Sequence, residues 1–349
     1  MLDLAGSPNS SRRIRVCIPS VRRTGGGNER AALLLAEALR DDKDLEVDWL
    51  ILDETLYSKG LAFAQAVRLL SGRLINLLYL ALPFLALRRT PDVLVLMHGN
   101  ANLLLPYFKW RGVKTLLVCD APRRRRSSFS GFMEPIRWRC MRYASRIVKT
   151  YAFPTEHLSE VIENPVGLPI AAPLVFSSKH ISELVYVGRL APEKGIASFL
   201  DLAREMKDLK FTVFGHGSLE GRVREMAHHH SNVRFAGYDS QWWRQLSAGA
   251  CLVGCSKVEG CWTTGAEALL SGIPVIAVES ETGGPQALAA RCSKAAIVSK
   301  IGPEHVREAV ARLNHALQGS TSPEMLLAHR LDMSRISREY GRILRELTR

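Results

Sequence analysis

The stretch VGCSKVEGCWTTGAEALLSGIPVIAV, Val253 to Val278, decides how this chain is read. Glu259 and Glu267 flank a run of small and hydroxylated residues, interrupted by one tryptophan. Apolar segments lie on either side, so the order is strand, turn, a short helix ending at Gly272, then a strand from Pro274. One acid falls on the loop and one on the helix, so both can face a polyhydroxylated ligand at the helix N-terminus. Free N–H groups and the positive end of the helix dipole suit an anion there. Taken alone, the pair fits a solvated surface turn equally well.

Working outward, the same strand-then-loop punctuation recurs. ELVYVGRL ends in a loop carrying Arg189 and Lys194, with Gly188 and Gly195 easing the turns. An arginine forks onto two phosphate oxygens and a lysine acts as a point charge, a combination suited to a diphosphate. KFTVFGHG ends in Gly215 and Gly217, and NVRFAGY in Gly237 and Tyr238. ACLVGCS leads into the opening stretch, and KAAIVS is a further short strand. In open parallel sheets ligands bind beyond the carboxyl ends of strands, where all these residues fall. From Pro303 the chain reads as two amphipathic helices rich in Arg and Leu.

The N-terminal half repeats the pattern. After a disordered tail over residues 1–12, RIRVCIPSV is a buried strand, RRTGGG a turn, Asn28 to Leu39 a helix and EVDWLIL a second strand. DVLVLMHG and KTLLVCDAP are further strands, and their unbroken apolar character fits a sheet covered on both faces. The stretch NPVGLPIAAPLVFSSKH, rich in proline and small residues, reads as a linker. The expected organisation is an N-terminal domain over 13–165, a linker over 166–180 and a C-terminal domain over 181–325. A helix over 326–349 is expected to pack back on the first domain. The fold class is α/β, two doubly wound parallel-sheet domains facing a cleft.

The order GG-x-ER (Gly26 to Arg30), GRLAPEKG (Gly188 to Gly195), FGHG, VRFAGY and EG-x6-E-x3-SGIPVIA (Glu259 to Ala277) resembles glycosyltransferase family 4. Those are retaining, nucleotide-sugar-dependent enzymes of the GT-B fold. The resemblance covers most of the chain and is strongest from Ser182 to Ala277. It implies that Arg189 and Lys194 hold the donor diphosphate as it leaves. Glu267 would accept from ribose hydroxyls and Glu259 from the donor sugar, with the backbone of Gly260, Cys261, Trp262, Thr263 and Thr264 around them. Gly26 and Gly27 would approach the phosphates from the other domain. No cofactor or metal is implied, two fixed cations doing a metal's work. Where the family commonly has Glu-Gly-Phe-Gly, this chain has Glu259, Gly260, Cys261 and Trp262, which puts the donor sugar in question. At the end of KTLLVCD, Cys119 and Asp120 stand where many members carry a histidine. His98 is the substitute that could reach an acceptor, and a purely structural histidine fits equally well.

Composition narrows the partners. The net charge is +13, and up to Val175 there are 25 Lys and Arg against 16 Asp and Glu, so most of the excess lies in the first half. That points to an anionic partner there. Arg123, Arg124, Arg125 and Arg126, with Arg137, Arg139, Arg142 and Arg146 beyond, are the densest cluster; a solvated loop and an anionic-lipid face are both open readings. The apolar run Leu74 to Leu87 would be about 21 Å long as a helix, short of the roughly 30 Å hydrocarbon core, and Pro83 interrupts it. The seven scattered cysteines suggest neither a disulfide framework nor a zinc site, and a reducing cytoplasm suits them. The expectation is a cytoplasmic enzyme, peripheral on the inner membrane face, taking a nucleotide sugar and a glycan or lipid-linked acceptor, with no nucleic acid partner. The alternative is a non-catalytic scaffold of the same fold that binds membrane or polyanions.

Overall fold

The computed structural model describes residues 12–20, 27–52, 91–97, 99–119, 129–151, 159–166, 180–290, 292–319 and 325–349. The first half contributes β1 (Ile14–Ser20), α1 (Gly27–Leu39), β2 (Leu45–Ile51), β3 (Val93–Leu96) and α2 (Leu105–Trp110). After these come β4 (Lys114–Cys119), α3 (Phe129–Cys140), β5 (Arg146–Lys149) and the two-residue β6 (Glu160–Val161). The second half starts with β7 (Glu183–Val187), α4 (Ile196–Glu205), β8 (Lys210–Phe214), α5 (Glu220–His229) and β9 (Val233–Gly237). It continues with β10 (Ala250–Gly254), α6 (Thr263–Leu270), β11 (Val275–Val278), α7 (Gly284–Ala289) and β12 (Ala295–Val298). Three helices close the chain: α8 (Pro303–Gly319), α9 (Met325–Arg330) and α10 (Met333–Thr348).

These strands form two six-stranded sheets, ordered β2-β1-β3-β4-β5-β6 and β12-β11-β10-β7-β8-β9. Each strand pairing is parallel. The strand order reverses direction between β1 and β3 in one sheet and between β7 and β10 in the other. Such switch points open crevices at the carboxyl ends of strands. The crevice in the second sheet is therefore bounded by the loops that carry Arg189, Lys194 and Glu259 and by the helix α6 that carries Glu267.

The unbroken apolar strands have a direct explanation in the pleat. On the first sheet Val16, Ile18, Val93, Val95, Leu116 and Val118 point to one side, where α1 and α10 cover them. Cys17, Leu94, Leu96, Leu117 and Ile147 point to the other, with Leu105, Phe108, Trp138 and Met141 against them. Both faces are buried, so no polar alternation survives.

Helix α10 belongs to this first core although it comes last in the chain. Ile336, Tyr340, Ile343 and Leu344 are buried against the N-terminal sheet. Ser337 donates to the Ala38 carbonyl at 2.9 Å, and Arg345 meets Asp42 at 2.7 Å. Arg342 pairs with Glu160, and Arg146 with Glu346 at 3.1 Å. Asp332 caps the helix by accepting from the backbone N–H groups of Ser334 and Arg335.

Several details differ from the sequence reading. The helix after Glu259 ends at Leu270 rather than Gly272, because Ser271 and Gly272 turn back onto Glu267, Ala268 and Leu269. The C-terminal segment forms three helices, not two. Strands β5 and β6 were not expected: β6 has only two residues, and the cations in and around β5 read as a charge run. The run Leu74 to Leu87 and most of the proposed linker lie outside the described residues. Among the described residues, no helix is long and apolar enough to cross a membrane.

Candidate active site

The site is assembled by loops that interlock. After β7 the chain passes through Gly188 and Arg189, then a 3₁₀ turn over Pro192–Lys194. The Tyr186 hydroxyl donates to the Arg189 carbonyl at 3.0 Å and reaches that of Lys194 at 3.4 Å, holding the turn from beneath. Burial pushes this phenol far above its usual range, so it stays a neutral donor. After β8, Gly215 has φ +141°, and a Cβ there would sit 1.9 Å from the Gly188 carbonyl oxygen. Only glycine lets these two strand-end loops come together.

Lys194 Nζ lies 2.6 Å from Glu259 Oε2, with both side chains partly buried, which joins the β7 loop to the acid loop after β10. Arg189 is more exposed and meets Glu193 at 2.9 Å. The Glu259 backbone is fixed on the opposite side. Its N–H donates to Ser280 Oγ at 2.9 Å, and its carbonyl accepts from Ser280 Oγ at 3.1 Å and Thr282 Oγ1 at 2.5 Å. Gly284, the first residue of α7, presses on the same loop. A Cβ there would fall 1.4 Å from the Gly260 carbonyl oxygen.

Glu267 is 1% exposed. Its Oε1 lies 3.0 Å from Arg30 Nη2, and the Trp242 indole N–H reaches Oε2 at 3.4 Å. Burial raises its pKa; Arg30 and the indole hydrogen bond oppose that shift. Arg30 comes from α1 of the other domain. Gly27, which opens α1, is so placed that a Cβ would lie 3.6 Å from Thr263 Oγ1, at the start of α6. Two helix N-termini thus meet across the cleft, each with a positive dipole end. A second crossing contact joins Tyr151, just after β5, whose hydroxyl donates to the Thr282 carbonyl at 2.6 Å.

Trp262 does not stand in the cleft. Its indole is buried against Gly254 and Gly265, where a Cβ would come within 2.6 Å and 2.3 Å of the ring. It props the loop from inside, leaving Cys261 partly exposed. Tyr238 is exposed and meets His216 edge-on at 5.3 Å at the ends of β9 and β8. Cys255 is buried beneath the Lys194 turn, and burial lifts its thiol to about 12. Among the described residues, no group of three His, Cys, Asp or Glu side chains is placed to hold a metal ion.

The structure therefore brings Gly27, Lys194, Glu259, Gly260, Thr263 and Glu267 together, with Thr264 beside Thr263 in the first turn of α6 and Gly188, Arg189, Gly215 and Gly217 on the adjoining loops. Gly26, His98, Asp120 and Arg123 to Arg126 lie outside the described residues. Sequence reasoning missed Arg30, Tyr151, Trp242, Ser280, Thr282 and Gly284 as site-builders. Arg30 was legible as the last residue of GG-x-ER, and the Gly283-Gly284-Pro285 run signalled a special turn. Nothing in the sequence singled out Tyr151.

Comparison with known proteins agrees with this architecture. Residues 182–316 match the family model described as glycosyl transferases group 1. No curated protein matches the sequence. Among solved structures, HepE from Anabaena in complex with UDP-glucose superposes with a TM-score of 0.71 at 14% identity, covering 96% of this chain and 100% of that one. Sucrose-phosphate synthase from Thermosynechococcus elongatus gives 0.70 at 16% identity, over 96% and 99% of the two chains. The lipopolysaccharide outer core galactosyltransferase WaaB, in its apo form, gives 0.60 at 16%, over 95% and 99%. At these identities the likeness establishes the fold, which is GT-B.

Proposed function

We propose that this chain is a glycosyltransferase that moves a sugar from a nucleoside-diphosphate sugar onto a hydroxyl acceptor. The observation that carries the reading is the meeting of the α1 and α6 N-termini beside the Lys194–Glu259 pair and the Glu267 carboxylate. Two positive helix ends face to face repel unless an anion sits between them, and a diphosphate supplies that charge. The family match over 182–316 and the UDP-glucose and UDP complexes of HepE support a nucleotide-sugar donor.

In this reading the diphosphate lies between the two helix ends, with Lys194 and Arg189 neutralising the charge that grows as it leaves. Glu267 accepts from the ribose hydroxyls and Glu259 from the donor sugar. The sugar keeps its anomeric configuration, the departing phosphate oxygen helping to deprotonate the acceptor on the same face. Two fixed cations replace a metal ion.

The acceptor is lipid-linked or membrane-associated, and the chain works as a peripheral protein on the cytoplasmic membrane face. A patch on the first domain supports this. Trp110 is 77% exposed, with the Arg111 guanidinium 5.9 Å from its ring centroid, and Arg142 lies 5.1 Å from the Tyr143 ring. The segments Leu105–Cys119 and Pro135–Lys149 carry no acidic residue but hold Lys109, Arg111, Lys114, Arg137, Arg139, Arg142, Arg146 and Lys149. Aromatic rings among cations suit the interface of an anionic bilayer.

The test is incubation of labelled nucleotide sugars with and without membrane lipid extract, with Lys194→Met as control. Labelled lipid product that falls on the order of 10²–10³-fold in the variant is expected. Sugar release independent of any acceptor would point to a hydrolase. Lipid binding with no turnover would leave only a scaffold.

A further inference from the structure

One carboxylate of the donor site depends on a residue from the other domain. Glu267 sits at the fifth position of α6, inside the C-terminal domain, and is almost wholly buried. Among the described residues its own domain offers it one partner, the indole N–H of the fully buried Trp242, at the long distance of 3.4 Å. The charge partner is Arg30 at 3.0 Å, on the first turn of α1, with its side chain 37% exposed. Other titratable groups belong to the elements around Glu267. They are Glu29 and, about two turns further along, Glu37 on α1, Arg244 beside Trp242, Cys251 on β10, and His329 and Arg330 on α9; β11 and α7 carry none. Arg330 is committed to Glu163. Among the described residues, Arg30 is the one cation within ion-pair distance of the Glu267 carboxylate.

A carboxylate accepts about four hydrogen bonds when ionised, and when protonated it becomes a donor with reduced acceptor capacity. A diol needs the ionised form, since both ribose hydroxyls donate. Burial works against that form, and a nearby cation restores it.

We propose that Arg30 is a positioning residue for nucleotide binding: reaching across the cleft, its guanidinium holds Glu267 as a charged acceptor, so ribose recognition is completed only when the two domains meet. The inference rests on the reading of Glu267 as the ribose acceptor. It adds that the carboxylate is set by the partner domain rather than by its own. Arg30 touches neither the sugar nor the diphosphate in this scheme. It acts through Glu267, at the place where Gly27 at the start of α1 faces Thr263 at the start of α6.

The consequence is a change in pH dependence. Glu267 must lose its proton to accept, so affinity falls as pH drops through its pKa, and without Arg30 that fall begins at higher pH. The experiment is calorimetric titration of the full chain with UDP, then ADP and GDP, from about pH 6 to about pH 8.5. It compares wild type, Arg30→Gln, Arg30→Lys and Glu267→Gln. Arg30→Gln should bind the recognised diphosphate about tenfold more weakly at the acid end for each unit by which the carboxyl pKa rises, the gap narrowing toward the alkaline end. Arg30→Lys should recover most of the loss, since the contact is an ion pair made through one guanidinium nitrogen. Glu267→Gln, which leaves Arg30 in place, should bind weakly and without the acid-side fall.

A uniform loss at every pH in Arg30→Gln, or no loss, overturns the proposal and gives Arg30 a merely structural role. An acid-side fall that persists in Glu267→Gln overturns it as well. A wild-type chain that binds none of the three diphosphates overturns the reading of the site itself, which separates that failure from a failure of Arg30 alone.

Discussion

Replacing Gly284 with alanine tests how the acid loop is held. The added methyl would lie 1.4 Å from the Gly260 carbonyl oxygen, 2.6 Å from its carbon and 2.8 Å from the Glu259 carbonyl oxygen. All three atoms are backbone, so no side chain can swing away. Either α7 or the Glu259–Gly260 turn must move by more than 1 Å. Overpacking of this kind costs about 1–3 kcal/mol. For a domain of this size that corresponds to roughly 2–4 °C of melting temperature per kcal/mol. The chemical effect should be larger, because Glu259 meets Lys194 at 2.6 Å and the pair rides on the displaced loop. A misplacement of about 1 Å at reacting groups costs on the order of 10²-fold in rate. The assay is sugar transfer per mole of folded protein alongside thermal unfolding, with Gly221→Ala as control. Gly221 lies in α5 with nothing near its missing Cβ, so alanine there should stabilise by about 0.4–1 kcal/mol. Wild-type turnover and melting temperature in Gly284→Ala would refute the claim that this contact sets the acid loop.

Other outcomes follow from single contacts. Tyr151→Phe removes the hydrogen bond to the buried Thr282 carbonyl and should cost about 1 kcal/mol in urea unfolding, with a drop in transfer rate because Thr282 also holds Glu259. Tyr340→Phe should instead stabilise by up to about 1–2 kcal/mol, since the buried Tyr340 hydroxyl has no hydrogen-bond partner among the described residues; loss of stability would show that the hydroxyl is satisfied. Cys255, with its thiol at about 12 and buried, should resist maleimide in the native protein near pH 8 and react once urea unfolds it.

The fold was largely legible because parallel strands covered on both faces leave continuous apolar runs, each ending in glycine or a charged loop. Val93 to Leu96 and Leu184 to Val187 show this plainly, and their order gave both domains. What escaped notice has physical reasons. β6 has only two residues, and β5, RIVK, begins and ends on a cation, so it lacks the unbroken apolar run of the other four-residue strands. Trp262 follows Glu259 by three positions and so suggested a residue lining the sugar pocket. Glycines at 254 and 265 leave space for its indole on the core side instead, and that pairing across the chain has no local mark. Tyr151 and the partner of Arg30 were hidden for the same reason: each contact reaches the far domain, and sequence periodicity reports only on the element a residue belongs to. The burial of Glu267 was likewise invisible, since a short helix with one acid reads as exposed on that side.

The central claim is that the cleft binds a nucleoside diphosphate through Lys194, Glu259 and Glu267. The most direct measurement is thermal unfolding of the full chain against a panel of nucleoside diphosphates and their sugars. At about a hundred times Kd, binding stabilises by about 2.7 kcal/mol, which for a domain of this size is roughly 5–10 °C. One base should give that rise, and Lys194→Met and Glu267→Gln should abolish most of it. A flat panel at millimolar ligand, or a full rise that survives both substitutions, would contradict the account.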